Sequence, residues 1–156
     1  MRIGHGYDAH KLISGNGLVL GGVLIKSNYG VEAHSDGDIV IHALIDALLG
    51  AACLGDIGKL FPSVNDKYKD ISSRSLLKEV NNKLIKKNYS VKNIDITYVG
   101  QEPKLLPHIS EIRKNLSSDL NIEIDAVSCK ATSTDGLGFE GAKKGVSCYA
   151  VVLISK

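Results

Sequence analysis

An aspartate and two histidines are the residues of this sequence whose types and spacing could do chemistry. Asp8 and His10 stand two apart in Arg2-Ile3-Gly4-His5-Gly6-Tyr7-Asp8-Ala9-His10. That segment reads as extended, and side chains at i and i+2 of a strand share a face, so this carboxylate and imidazole project together. His42 lies in the apolar run from Asp38 to Gly50, which reads as a helix. One oxygen and two nitrogen donors leave a fourth position open, which is how catalytic zinc is held. A plainer reading stands beside it. Asp38 and Asp46 lie one turn to either side of His42, so the histidine could be a buried residue with a carboxylate partner.

Four further segments have a common theme. His34-Ser35-Asp36-Gly37-Asp38 leads into the His42 helix, and a helix start carrying serine and glycine suits a phosphate or is an ordinary capping cluster. Asp56-Ile57-Gly58 follows that helix. Its carboxylate beside a glycine can grip two ribose hydroxyls or simply form a turn. Gly100-Gln101-Glu102-Pro103-Lys104-Leu105-Leu106 leaves a strand with its backbone stiffened by proline, fit to read a base or only to connect strand to helix. Ala131-Thr132-Ser133-Thr134-Asp135-Gly136-Leu137-Gly138-Phe139 offers hydroxyls, an acid and glycines, which suit phosphates, with Asp135 able to hold a magnesium ion. None is specific singly, and jointly they point to a nucleotide diphosphate near a metal.

The elements that must position these residues follow from pattern. Strands are expected over 2–10 and 17–26, joined by a turn at Ser14-Gly15-Asn16-Gly17, with Gly21-Gly22 as a bend or bulge. A helix should run from Asp38 to near Gly55, and residues 56–66 should form a loop. Ser72 or Ser73 can cap a second helix whose stripe is Leu76, Leu77, Val80, Leu84 and Ile85. A strand over 93–100 precedes a third helix with Pro107 as its first residue and Ile109, Ile112, Leu116 and Leu120 as its stripe. Strands over 126–133 and 146–155 close the chain, the last apolar on both faces as a central strand would be. This order implies an α+β fold, a mixed β-sheet with helices packed on one face. The other face needs cover, and a symmetric oligomer supplies it.

At 156 residues the chain fits a single domain over 1–156. Hydrophobic residues make up 44%, and the longest apolar stretch contains His42 and Asp46, a poor membrane span. No signal or transit segment is evident, so a cytoplasmic location is expected and no membrane partner. Net charge is +2, from 19 basic and 17 acidic residues, and with 5% aromatics this disfavours nucleic acid as a partner. Cys53, Cys129 and Cys148 lie in apolar segments and read as reduced core thiols.

With these motifs in place, the chain closely resembles the 2-C-methyl-D-erythritol 2,4-cyclodiphosphate synthase family over essentially its whole length. The resemblance rests on Arg2–His10, Ala33–Asp38, Asp46–Ala52, Gly55–Pro62, Pro103–His108 and Lys130–Phe139. It implies a homotrimer with active sites between subunits. It also implies a lyase of the non-mevalonate isoprene pathway, closing 4-diphosphocytidyl-2-C-methyl-D-erythritol 2-phosphate to the cyclic diphosphate with release of CMP. By the same analogy Asp8, His10 and His42 hold Zn2+, and Asp135 lies near a second ion, Mg2+ or Mn2+. Catalytic contacts fall to His34 and Ser133. Substrate contacts fall to Ser35, Asp56, Ile57, Gly58 and Phe61, to Gly100, Gln101, Glu102, Pro103, Lys104, Leu105 and Leu106, and to Thr132, Thr134 and Phe139. Three departures from the family pattern bear on these roles. Ser63-Val64-Asn65 replaces the usual acidic loop, Ser133 and Asp135 stand where threonine and glutamate are usual, and Ala142 replaces an arginine that lines a central cavity in relatives. A hydrolase releasing CMP without ring closure, and a trimeric binding protein with a structural metal, are the rival readings.

Overall fold

The computed structural model describes residues 1–62, 68 and 71–156. The departures at Ser63, Val64 and Asn65, and Asp66 after them, lie outside the described residues. A five-stranded sheet runs in the order β4-β1-β7-β5-β6, from β1 (Arg2–Ser14), β4 (Tyr29–Val31), β5 (Ser90–Val99), β6 (Val127–Thr132) and β7 (Gly145–Ser155). The β5–β6 pair is parallel and the other pairs are antiparallel, so the sheet is mixed. Helices α1 (Ile39–Ala51), α3 (Ser73–Lys86) and α4 (Ile109–Leu120) cover one face. The α+β arrangement matches the sequence expectation.

Period-two burial fixes which face is which. Gly4, Gly6, Val146, Cys148, Ala150, Val152 and Ile154 are buried beneath the helices. The alternate positions are open, with Ile3 at 75%, Tyr7 at 43% and Tyr149 and Val151 each at 42% exposure. β7 is central in the sheet, as expected, yet its second apolar face has no cover within one chain.

Helix α1 is the most enclosed element, with ten buried residues between sheet and α3. It reaches β1 so closely because β1 has glycine where the helix crosses. A Cβ on Gly4 would lie 1.9 Å from the Ala47 carbonyl oxygen, and one on Gly6 2.0 Å from that of Ala43. Neither separation is possible for a real side chain, so the two glycines set the helix-to-sheet distance that brings His42 to β1.

Several expected boundaries are revised. Residues 17–26 do not form one strand paired with β1. They form a hairpin of β2 (Leu18–Leu20) and β3 (Val23–Ile25), and β1 pairs with β4 and β7 instead. Gly21 and Gly22 are its two-residue turn, with φ of 58° and 74°, values that suit a primed hairpin turn. Helix α1 ends at Ala51, where the chain turns through left-handed Cys53, φ 56°, so Cys53 is exposed and only Cys129 and Cys148 fit the core-thiol expectation. Within the expected loop, Ile57–Leu60 make a one-turn helix, α2, capped by Asp56. Pro107 stands in a 3-10 turn, Leu106–His108, that feeds α4 at Ile109. A last short helix, α5 (Gly138–Gly141), precedes β7. Among the described residues, no helix is long and apolar enough to cross a membrane.

Candidate active site

Asp8 and His10 project from the helix-covered face of β1, as period two predicts, and His42 meets them from the first turn of α1. One donor atom from each lies within 4.8 Å of the others. His10 Nε2 is 3.0 Å and His42 Nδ1 is 3.1 Å from the same atom, Asp8 Oδ2. Donors bound tetrahedrally at about 2.0–2.1 Å from zinc lie about 3.3 Å from one another. The two separations from Asp8 are therefore already close to the edges of such a shell, and the donor set of one carboxylate and two imidazoles suits the ion.

The electrostatics agree. Burial alone would raise the Asp8 carboxyl, but hydrogen bonds and positive charge from His10 and His42 outweigh it and hold Asp8 at about 2. Burial opposes protonation of His42, yet the hydrogen bond and charge of Asp8, joined by the charges of Asp38 and Asp36, lift it above the ordinary 6.5. A site that draws protons to this degree is one that a divalent cation can occupy in their place.

Neither of the carboxylates proposed from sequence as partners of His42 is its side-chain partner. Asp38 is fully buried and its carboxylate accepts N–H bonds from Gly21 at 2.9 Å, Gly22 at 2.7 Å and Ile41 at 3.1 Å, so it caps α1 and fastens the β2–β3 turn. The helix start expected to seat a phosphate is thus occupied by the chain's own carboxylate. Asp46 accepts the Ile57 N–H at 2.7 Å and fixes the start of α2. That bond brings Ile57, Gly58 and Phe61 beside His10, His42, His34 and Ser35 around one cavity of about 240 Å³. Asp56 is exposed at its edge, with one carboxylate oxygen taken by the Lys59 N–H at 2.7 Å.

The other predicted residues gather elsewhere. Gly100, Pro103, Lys104, Leu105, Leu106, Thr132 and Ser133 line a second cavity, of about 210 Å³, which shares no lining residue with the first. The Glu102–Pro103 peptide bond is cis, and the Glu102 carbonyl accepts the Tyr98 hydroxyl at 3.1 Å. Gln101 and Glu102 are half-buried beside this cavity. Ser133 Oγ donates to Asp135 Oδ1 at 3.4 Å, Asp135 has φ 52°, and Thr134 Oγ1 donates to the Leu137 carbonyl. Phe139 is 41% exposed and closes over Gly145 at the start of β7.

Strand register measures the gap between the halves. Ala9 pairs with Ser147, Ser147 with Val99, and Val99 with Thr132. These residues form one row across four strands, so Ala9 and Thr132 are separated by three spacings, about 14 Å. Asp8 and His10 face the helices, whereas Thr132 belongs to the opposite parity. Among the described residues of one chain, the two groups do not share a cavity.

Sequence reasoning gave Ser73 only a possible capping role and Asp36 none of its own. Ser73 is fully buried, its Oγ 3.0 Å from His42 Nε2 and 2.5 Å from Asp36 Oδ1. Ser72 stands at the N-cap of α3, as expected, but its side chain makes no capping bond; Asp36 accepts the Ser73 N–H at 2.8 Å instead. Adjacent Arg74 is tied to buried Asp119 of α4 at 2.6 and 2.9 Å, which steadies the start of α3. A serine 31 residues from His42 in sequence carries no periodic signal that could have exposed it.

A mixed sheet, helices on one face and an oxygen–nitrogen–nitrogen donor cluster between β1 and α1 define an α+β protein with a candidate metal centre. The chain belongs to the YgbB family, whose model matches residues 1–155. It is 51% identical over 156 residues to the 2-C-methyl-D-erythritol 2,4-cyclodiphosphate synthase of Photorhabdus laumondii, covering 100% of this chain and 99% of that one. The protein of the same name from Syntrophomonas wolfei is 53% identical over 156 residues, with 100% and 99% covered. The solved IspF of Plasmodium falciparum in complex with CDP is similar at a TM-score of 0.87 and 40% identity, over 98% of this chain and 94% of that one. A CDP-bound 2C-methyl-D-erythritol-2,4-cyclodiphosphate synthase is similar at a TM-score of 0.91 and 36% identity, over 99% and 100%.

Proposed function

We propose that this chain is a lyase that converts 4-diphosphocytidyl-2-C-methyl-D-erythritol 2-phosphate to 2-C-methyl-D-erythritol 2,4-cyclodiphosphate and CMP, in the non-mevalonate route to isoprenoids. The observation that carries the reading is the convergence of Asp8, His10 and His42 on one oxygen, in a chain that matches synthases of that name from end to end.

The reaction is an in-line phosphoryl transfer within one molecule. An oxygen of the 2-phosphate forms a bond to the β-phosphorus. The bond from that phosphorus to the bridging oxygen breaks, and CMP leaves with the electron pair. Both partners are anionic, so repulsion and alignment make up most of the barrier. Zn2+ held by Asp8, His10 and His42, and Mg2+ or Mn2+ beside Asp135, would supply neutralisation of the diphosphate charge. His34 and Ser35 would hold the methylerythritol phosphate end at the mouth of the first cavity, and Asp56, Ile57 and Gly58 the ribose, with Phe61 beneath. Gly100 to Leu106 would take the cytosine, and Thr132, Ser133 and Thr134 the phosphates, with Phe139 at the edge. The attacking group is already a phosphate oxygen, so no strong general base is needed.

The gap of about 14 Å between the halves supports a site completed by a second copy, and the uncovered face of β1 and β7 supports a homotrimer as the assembly. The test is phosphorus NMR of the purified protein with zinc, magnesium and the diphosphocytidyl substrate. The expected outcome is cyclic diphosphate together with CMP, both abolished by chelation. CMP with an open-chain product means a hydrolase, and no turnover by metal-loaded protein means a binding protein; either result refutes the proposal.

A further inference from the structure

The hydrogen bonds around His42 run in one direction. Asp36 accepts from the Ser73 N–H at Oδ2 and from the Asp38 N–H at Oδ1, at 2.8 and 3.2 Å. Its Oδ1 also lies 2.5 Å from Ser73 Oγ, so a carboxylate acting as acceptor throughout takes the serine proton. With that proton spent, Ser73 Oγ can only accept from His42 Nε2, 3.0 Å away. Ser35 Oγ, 3.2 Å from the same nitrogen, accepts the Gly37 N–H at 3.3 Å and is compatible with the same sense. The imidazole therefore carries its proton on Nε2. Its Nδ1 lone pair then faces Asp8 Oδ2 at 3.1 Å. Two acceptors at that distance need a proton or a metal ion between them, and with the ring neutral at Nδ1 the place is open to the metal.

We infer that Asp36 and Ser73 are positioning residues that fix the tautomer of His42 and so present its Nδ1, unprotonated, to the metal. The relay joins three elements that sequence keeps apart: the 34–38 loop, the first turn of α1 and the buried first residue of α3. It also makes one carboxylate serve two ends, since Asp36 caps α3 from outside that helix. Removing Asp36 frees the Ser73 hydroxyl to donate to Nε2, which lets the ring proton move to Nδ1, where it competes with the ion. The inference rests on the metal reading above, and its test separates the two.

The tautomer is read first, in metal-free protein labelled with nitrogen-15, at alkaline pH where the ring is neutral. Wild type and the Ser72→Ala control should show Nε2–H at His42, and Asp36→Ala should show Nδ1–H gaining population. Zinc affinity is then measured by competition with a chromophoric chelator. Asp36→Ala and Ser73→Ala should each lose about 10- to 100-fold, while Ser72→Ala stays within about twofold. Unfolding of the metal-free variants is followed in parallel, because a capping role alone lowers stability and leaves tautomer and affinity unmoved. Wild-type tautomer and wild-type affinity in both Asp36→Ala and Ser73→Ala overturn the relay, as does Nδ1–H in the wild type. A wild type that shows Nε2–H and binds no zinc upholds the tautomer control and overturns the metal centre it was inferred to serve.

Discussion

Asp8, His10 and His42 converge on a single oxygen from buried structure, whereas Thr132, Ser133, Thr134 and Asp135 stand on a largely exposed loop with bonds mostly to near neighbours. In the first half, two glycines set the helix height, Asp38 caps the helix, and Ser73 and Asp36 hold the far side of the ring. In the second half, positions are set by a strand end and a turn. On the proposed assembly, the difference separates what a chain would finish by itself from what it would leave to a neighbour. Metal ligands need tight tolerances, which close packing provides. A phosphate seat tolerates more adjustment and can be offered across an interface.

The largest effect should come from the first half. His42→Ala removes a donor that no other described residue replaces, and the rate should fall by about three to four powers of ten, the loss of several kcal/mol of charge neutralisation. A folded oligomer with no turnover and little zinc is the expected state. Gly6→Ala is next. The new methyl would meet the Ala43 carbonyl oxygen at 2.0 Å, so α1 must move, at a cost of about 3 kcal/mol in a denaturant titration. The zinc content of the folded fraction should fall with it, because the same displacement carries His42 away from Asp8.

The exposed half should behave in the opposite way. Ser133→Ala should lower kcat/KM about 10- to 100-fold yet shift stability by less than about 0.5 kcal/mol, since the side chain is exposed. A stability loss as large as that of Gly6→Ala would erase the contrast drawn here. The smallest effect is a pH shift. The pKa of His42 is raised, so the metal-free chain should gain stability as pH falls through the window beginning above 6.5. Across that same window the metal-loaded chain should begin to release its ion, because protons and metal compete for Nδ1. Asp8, held at about 2, stays ionised throughout. Metal retention unchanged down to well below 6.5 would contradict this.

The legible parts of the molecule were those with a short period. The i, i+2 spacing of Asp8 and His10 and the apolar run around His42 gave the candidate metal cluster its three residues, and alternation gave β5, β6 and β7 within a few residues. What sequence hid was pairing between distant positions. The 18–25 segment looks like a single strand until Asp38, sixteen and seventeen residues on, is seen holding both turn amides. The plainer reading sought a partner for His42 in Asp38 or Asp46, whereas the carboxylate that meets it is Asp8, 34 residues away on β1, which the metal reading had named. Ser73 looked like a cap and is buried against an imidazole. The short edge strand β4 has three residues, too few for alternation to register. The 100–106 and 132–135 segments were proposed through their motifs, but no pattern in one sequence could show that the cavity they line shares no residue with the one beside His42.

In the proposed site the metal half of one copy works with the phosphate half of another. Co-expression of His42→Ala with Ser133→Ala tests it most directly. Across the whole co-expressed population, about a quarter of the interfaces, or about one in three within a mixed trimer, would pair an intact Asp8–His10–His42 cluster with an intact Ser133 from the neighbour. Turnover should return to about a quarter of wild type across that population, far above His42→Ala and at least about twofold above Ser133→Ala. Mixed trimers no more active than the two parents would place the whole site within one chain and contradict the account.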